Sequence, residues 1–317
     1  MTHVVLVTYG EPTTASFVEQ LVYSWRILVG LTRSVADIPA PLIPLIAVSR
    51  GHGRRALWRR YSYSSPLEPI TLAQAAQMRT ALAGRSAGPW TVHIAYEFRK
   101  PLLADVIGRL ADTDPVVVVP MYAADSAFTH QLSRGAVAAL NERRRAPIVV
   151  LPPIDVDALA AISAAHVRSF IGDGVAARSA ALVLAAHGTL LEPARPIDTG
   201  RVATEQLCEG ITKRLAGSFG MIANGWLNHL RGGRWTEPPI EETLQKVSDA
   251  GYREVIYYPY GFLADNAESQ LEGQIFAAQR PELRVRFVPC LNASPALADV
   301  IAAQVTDAAH APRGTAA

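Results

Sequence analysis

The 317-residue sequence predicts an α/β protein of two similar, doubly wound, Rossmann-like domains, each a parallel four-stranded sheet flanked by helices, the two facing a central cleft. Three observations predict it. Short runs without a charge, such as residues 116–120 and 181–186, have the composition of strands buried on both faces of a parallel sheet. These runs alternate with amphipathic stretches of helical length, the pattern of βαβ units. The pattern then restarts: Val118-Val119-Pro120 is matched by Tyr257-Tyr258-Pro259, Gln131-Leu132 by Gln270-Leu271, and Tyr9-Gly10 by His187-Gly188. The N-terminal domain is assigned to residues 1–152 and the C-terminal one to 153–317, with a disordered tail from about residue 308.

Residues 3–9 are apolar and β-branched and read as a first strand, ended by Gly10-Glu11-Pro12. Thr13 or Thr14 then caps a helix with an unusually broad apolar face: Phe17, Val18, Leu21, Val22, Trp25, Leu28 and Val29. Such a face packs in the core or lines a ligand pocket, and rest on a membrane surface is the lesser alternative. Residues 33–66, rich in Pro, Arg and Ser, are predicted as a long connection with broken helix. Ser65-Pro66-Leu67 opens a helix to about Leu82. Strands follow at 90–96, 116–120 and 148–152, with helices over 101–110, from after Ser126 to about 143, and over 155–170. The second half repeats the plan, with strands at 181–186, 221–226, 255–259 and 283–289. Its helices cover 202–215, 241–250, a stretch after the loop 260–265, and about 295–305.

Composition narrows the function. Half the residues are hydrophobic, enough for a sizeable core, and a net charge of +2 without a long basic run argues against nucleic acid as the main partner. Arg143, Arg144 and Arg145 read as a solvated helix end. The two cysteines, Cys208 and Cys290, form no CxxC pair, which rules out a cysteine-built zinc or iron–sulfur centre and a disulfide framework. The first residues enter a strand without a basic leader, and no apolar run reaches about 18 residues. The expectation is a cytoplasmic enzyme with neither signal peptide nor membrane span. A dinucleotide GxGxxG after the first strand, a P-loop GxxxxGKS, a GxSxG elbow and HExxH are absent.

What remains is a histidine at a strand mouth. His187 ends the run 181–187, at the carboxyl end of a strand, where open α/β sheets bind ligands. Asp265, Glu268 and Glu272 recur at i, i+3 and i+7, which puts three carboxylates near one helix face. Alone, the histidine is equally a loop cap, and the carboxylates a solvated helix start favoured by the helix dipole. Together they make a base-and-carboxylate site that can exchange protons or briefly hold a divalent metal.

Five segments, in order, carry a family resemblance. They are Ser65-Pro66-Leu67 with Thr71 and Gln74; Pro120-Met121-Tyr122 with Ser126; Ala185-Ala186-His187-Gly188; Gly233 and Trp235 with Pro238; and Gly261-Phe262 with Asp265 and Glu268. They resemble the SPL…T…QA, PLYPQYS, SAHG, VGPxxWLxP and GFxxDHxET segments of the ferrochelatase family, which inserts Fe(II) into a porphyrin. Thr8-Tyr9-Gly10 further resembles the branch acting on coproporphyrin III.

The resemblance implies an enzyme of heme biosynthesis acting on coproporphyrin III or protoporphyrin IX. It implies His187 and Glu268 as catalytic residues: His187 accepts a pyrrole proton or presents the metal, and Glu268 raises the ring's basicity and attracts the cation. His187, Glu268 and Glu272 are the implied metal contacts, Glu272 extending the path by one turn. Tyr9 would meet the opposite face of the macrocycle, Trp25, Ile27 and Leu28 its apolar edge, and Tyr122 and Trp235 are further substrate contacts. Arg26 and Ser65 are assigned to propionates, an arginine fork suiting a carboxylate. Fe(II) is a substrate; no tightly bound cofactor and no iron–sulfur cluster is expected. The partners are the porphyrin and Fe(II), with no nucleic acid, at most weak peripheral membrane association, and a monomeric state. The chain departs from the family at Asn266, usually histidine, at Phe276, commonly an acid, at Pro196-Ile197-Asp198, and at Ala223-Asn224-Gly225-Trp226. These changes keep two alternatives open: a tetrapyrrole or metal carrier that inserts nothing, and a chelatase for another metal or substrate.

Overall fold

A computed structural model describes residues 1–34, 38–85, 88–172, 178–193, 195–228 and 233–310. The chain divides into two compact units, Met1–Pro153 with Ala293–Ala317, and Ile154–Asn292.

The first unit is built on strands β1 (Thr2–Thr8), β2 (Trp90–Tyr96), β3 (Val116–Pro120) and β4 (Ile148–Val150), in the order β2-β1-β3-β4, all parallel. Val4 to Val7 are without exposure, as a strand covered on both faces demands. The register sets Thr8 beside Tyr96 and Val7 beside Pro120, so the three strands end together. Helices α1 (Phe17–Ser34), α2 (Ile43–Arg60), α3 (Leu67–Ala83), α4 (Leu103–Ile107) and α5 (His130–Asn141) belong to this unit. One core joins Val5, Val7, Ala95, Leu103, Val118 and Ile148.

The stretch predicted as a long broken connection is instead a 3-10 turn, Ala40–Leu42, running into the 18-residue helix α2. Its prolines sit where a helix tolerates them, in the turn and at the first helical positions, where the missing N–H has no helical partner. Gly51 is a packing residue: a Cβ there would fall 3.2 Å from the Cα of Leu21, so its absence lets α2 lie close on α1. Arg54 folds back across this pair, donating from Nε to Gln20 Oε1 (3.0 Å) and stacking over the rings of Tyr23 and Trp58. An arginine-rich segment therefore reads as polar loop in one dimension and as the outer face of a packed helix in three.

The second unit repeats the winding. Strands β5 (Ala181–His187), β6 (Met221–Leu227), β7 (Glu254–Tyr258) and β8 (Arg284–Phe287) run parallel in the order β6-β5-β7-β8. In both sheets the first strand lies between the second and third, with the fourth at the edge. The helices are α6 (Val156–Ile171), α7 (Arg201–Arg214), α8 (Ile240–Asp249), a π-helical turn Ala267–Glu272, and α9 (Gly273–Ala278). Helix α8 shows why it docks: Ile240, Leu244 and Val247, at i, i+4 and i+7, are all buried.

The closing helix α10 (Pro295–His310) belongs to the first unit, where it packs on α3, Arg85 Nη2 donating to Asp299 O at 3.0 Å. The sequence had assigned it to the C-terminal half, because it follows β8 directly. Its buried stripe of Leu297, Ala298, Ile301, Ala302 and Val305 finds its partner by shape, not by order along the chain. Residues 308–310 of the expected tail are the end of this helix, and 311–317 lie outside the described residues.

Leu184, without exposure and in register with Tyr258, marks the centre of the second sheet. Leu184→Ala is expected to cost roughly 2–5 kcal/mol in urea unfolding. Val149→Thr, on the exposed side of the edge strand β4, should stay within about 0.5 kcal/mol. Equal midpoints for the two variants would contradict this placement of the core.

Candidate functional site

Six residues of β5, Ala181 to Ala186, have no exposure, whereas the side chain of His187, the next residue, is 53% exposed. The burial ends there because Gly188 turns the chain away: its N–H donates to Leu227 O (2.8 Å), and a Cβ would lie 1.8 Å from Asn228 Oδ1. The loop beyond is stitched to a second segment. Thr236 N–H donates to Thr189 O (2.9 Å), Leu191 N–H to Arg234 O (2.8 Å), and Thr189 N–H to Thr236 Oγ1 (3.1 Å). Leu190 and Trp235 form an antiparallel bridge. This ladder brings Trp235 to the strand end that carries His187, across 48 residues of sequence.

Glu268 arrives from the other side of β5. Its carboxylate Oε1 lies 2.6 Å from His187 Nδ1, and its side chain is 19% exposed. An ionised carboxylate only accepts, so in the neutral ring Nδ1 carries the proton and Nε2 is the basic nitrogen. The carboxylate also stabilises the imidazolium that forms if Nε2 takes a proton. The pair therefore has the parts of a general base with its orienting partner.

Two devices hold Glu268 there. Asn266 caps the π-turn: its Oδ1 accepts the N–H groups of Glu268 (2.9 Å) and Ser269 (3.0 Å), its Nδ2 donates to Ala264 O (3.1 Å), and its own N–H donates to Ser269 Oγ (3.0 Å). Asp265, one residue earlier, is buried. Its carboxylate accepts from Cys290 N–H (2.9 Å) and Asn292 Nδ2 (2.7 Å), while its N–H donates to Asn292 Oδ1 (2.8 Å). Asp265 is thus a clamp between two loops and does not share a helix face with Glu268 and Glu272, as the spacing had suggested. The helical turn starts only at Ala267, after the cap.

Glu272 stays within electrostatic reach of the same buried ring as Glu268. Burial first, then the charge of Glu268, the Cys290 thiol and Glu272, raise the pKa of the Tyr257 phenol far above its usual range. Among the described residues no group of three histidine, cysteine or acidic side chains is placed to hold one ion. The structure brings together His187 and Glu268 and leaves Glu272 one turn on. Phe276 packs against the core of Val255, Tyr257 and Leu283, and Asn224 Oδ1 accepts from Tyr260 Oη (3.3 Å) within the sheet.

The first unit gathers other expected residues at the ends of β1 to β3. The Tyr9 ring stacks on Phe98 (5.7 Å) and meets Tyr122 edge-on (4.9 Å), and its hydroxyl donates to Phe128 O (3.3 Å). Tyr122 is buried with its hydroxyl unpaired among the described residues. Burial and the nearby Glu97 charge raise its pKa well above the usual tyrosine value. Arg26 Nη1 donates to Phe98 O at 3.2 Å. Trp25 is exposed, and with Leu21, Val22, Pro44 and Val48 it lines an apolar groove between α1 and α2. The broad apolar face of α1 is therefore split: Leu28 enters the core, while Val18, Val22 and Trp25 remain outside. Ile27 is half-buried on the same helix. Ser65 is buried, donates its hydroxyl to Glu11 and accepts from Leu67 N–H (3.1 Å), so its proton is committed within the protein.

Sequence reading named Asn266 and Asp265 but missed what each does in the fold. Asn266 carries a legible signal, Asn-x-x-Ser at a helix start. The clamp made by Asp265 carries none, because its partners, Cys290 and Asn292, come from another loop. No helix among the described residues is long and apolar enough to cross a membrane.

A sequence model of the ferrochelatase family matches residues 1–309. The ferrochelatase of Pseudomonas putida is 26% identical over 94% of this chain and 96% of that protein. Those of Methylococcus capsulatus and Bradyrhizobium sp. are each 29% identical, over 84% and 76% of this chain and 85% and 70% of theirs. Among solved structures, SirB from Bacillus subtilis with Fe3+ superposes over 98% of this chain and 96% of its own, at 14% identity and a TM-score of 0.55. CbiX, the terminal enzyme of siroheme biosynthesis in denitrifying bacteria, follows at 15% identity, 97% and 98% coverage, and a TM-score of 0.51, a likeness of fold. With its two parallel sheets and this match over nearly its whole length, the chain belongs to the ferrochelatase family, enzymes that insert a metal into a porphyrin.

Proposed function

We propose that this enzyme inserts Fe(II) into coproporphyrin III or protoporphyrin IX, a step of heme biosynthesis. The observation that carries the reading is the 2.6 Å contact of His187 with Glu268 at the mouth of a buried strand. Metallation removes two pyrrole protons and admits one divalent ion. His187, held by Glu268 through Nδ1, offers Nε2 to a pyrrole proton, and the carboxylate compensates the positive charge that results. Before that transfer the same carboxylate draws in the cation. Glu272 extends the acidic path. His187, Glu268 and Glu272 are thus the proposed metal contacts, with Fe(II) as substrate.

For the tetrapyrrole, the proposed contacts are Tyr9, Trp25, Arg26, Ile27, Tyr122 and Trp235. Ser65 enters as support for its loop, since its hydroxyl serves Glu11. An aromatic ring offers a π-face to a macrocycle, and Arg26 suits a propionate. The enzyme is proposed to act in the cytoplasm as a monomer, without a tightly bound cofactor. Two cysteines, both buried, fall short of the four thiolates an iron–sulfur cluster needs.

The altered residue Asn266 fits this reading. A histidine at this place would leave the first N–H groups of the turn to find other acceptors, whereas asparagine satisfies two of them and sets the start of the turn that bears Glu268.

Two predictions follow from the pair and its cap. Mixed anaerobically with Fe(II), Co(II) or Ni(II) and with each porphyrin or a reduced tetrapyrrole, the wild-type protein should turn over Fe(II) and a porphyrin best, read from the absorbance bands. His187→Ala should abolish that turnover while porphyrin binding stays within about threefold. An active His187→Ala variant refutes the role, a single stoichiometric spectral shift without turnover identifies a carrier, and preference for cobalt or nickel with a reduced ring identifies a different chelatase. For the cap, Asn266→Ala should cost about 1 kcal/mol of stability and lower kcat/KM by about tenfold, whereas Asn266→Asp, which keeps the acceptor, should stay near wild type. Equal losses in both variants would show that Asn266 does not act as a cap.

A further inference from the structure

One ionisable group in the first unit is not used by the mechanism above. Glu97 follows directly on β2. Its N–H donates to Thr8 O (2.9 Å) and that of Phe98 to Tyr9 O (3.0 Å), so β2 stays paired with β1 past the end of the regular strand. This puts Glu97 at the carboxyl end of the sheet, one residue from the ring stacked on Tyr9. The carboxylate Oε1 accepts from Ser133 Oγ of α5 at 2.8 Å.

The surroundings are aromatic. Tyr9 follows β1, Tyr122 follows β3, and Tyr23 of α1 meets Phe98 edge-on at 6.3 Å. Glu97 is the first charge felt by the buried phenol of Tyr122, ahead of Tyr9 and Tyr23. The arginines of the neighbourhood are turned elsewhere, Arg26 to Phe98 O (3.2 Å) and Arg99 to Glu68 (2.7 Å) and the Tyr96 ring. Among the described residues no cation compensates the carboxylate: burial raises its pKa to about 7, against the one lowering influence of Ser133.

We propose that Glu97 is a second proton acceptor of metallation, taking one of the two pyrrole protons of a tetrapyrrole that meets the Tyr9–Phe98–Tyr122 rings. This rests on the metal-insertion reading given above. A pyrrole N–H bond breaks, its electron pair stays on nitrogen to bind the entering divalent metal, and the proton ends on a Glu97 carboxylate oxygen. The other pyrrole proton passes to a further base, so two protons leave the macrocycle as one divalent ion enters. Both are returned to water before the next turnover. A carboxyl that is about half ionised at neutral pH accepts and returns a proton with little penalty either way. A carboxyl of ordinary acidity would accept poorly.

The test is Glu97→Gln in the full chain, alongside Ser133→Ala. Glutamine keeps the shape and the acceptor for Ser133 but cannot titrate. Porphyrin affinity, from absorbance titration without metal, should stay within about threefold, while kcat falls on the order of 10²-fold. The acceptor must be ionised, so wild-type kcat rises with pH through about 7, and Glu97→Gln lacks this limb. Ser133→Ala removes a donor that favours the carboxylate, so the limb moves to higher pH. Infrared difference spectra of the folded wild type should also show a protonated carboxyl band lost as pH passes about 7, and absent in Glu97→Gln. Wild-type kcat and pH limb in Glu97→Gln, or an unmoved limb in Ser133→Ala, overturns the proposal while leaving metal insertion intact. A wild-type protein that metallates nothing overturns the reading beneath it.

Discussion

The 2.6 Å contact between His187 Nδ1 and Glu268 Oε1 is the interaction on which the second unit's chemistry depends. It spans 81 residues, and neither partner could be placed by its own segment. The sheet supplies one end. Six consecutive fully buried residues of β5 hold the strand within the core, in parallel register with β6 and β7. The histidine is then the first residue to leave the core. The other end is set by Asn266 and Asp265, which tie the π-turn to its own start and to the loop of Cys290 and Asn292. A π-turn is uncommon and is frequent at functional sites. Here it stands where the two acidic side chains, Glu268 and Glu272, are presented.

The two units show how one winding carries different chemistry. Each sheet places its first strand at the centre and ends it in a residue–glycine pair, Tyr9-Gly10 or His187-Gly188. Beside His187 the second unit sets a carboxylate within hydrogen-bond distance. Beside Tyr9 the first unit sets rings and, among the described residues, a carboxyl without a cation. The backbone of the βα-unit fixes where a ligand meets the sheet, and the side chains at strand ends decide what happens to it.

The departures from the family pattern become local physics. Asn266 gives up a ring that can titrate and gains an acceptor for two backbone N–H groups. Phe276 gives up a charge and joins the core around Tyr257. Asn224 lies within a sheet, where its side-chain oxygen accepts from Tyr260 and its backbone oxygen from Thr243. Asn266 meets the His187–Glu268 pair at the backbone N–H of Glu268. The arginine-rich segment of α2 similarly trades the look of a loop for a helix packed through Gly51 on α1.

The amino-acid order by itself determined the strands, their parallel class, the internal repeat and the histidine at a strand mouth, because these rest on period and burial, which are local properties. Residues 90–96 and 116–120 were read with the bounds the structure has. It could not determine α2, whose prolines and glycines resemble breakers until a neighbouring helix is seen to need them. Nor could it place α10 on the first unit, turn Asp265 away from Glu268, or commit the Ser65 hydroxyl to Glu11. Each of those outcomes depends on groups distant in sequence competing for the same hydrogen bond or the same apolar surface. Only the folded chain decides that competition.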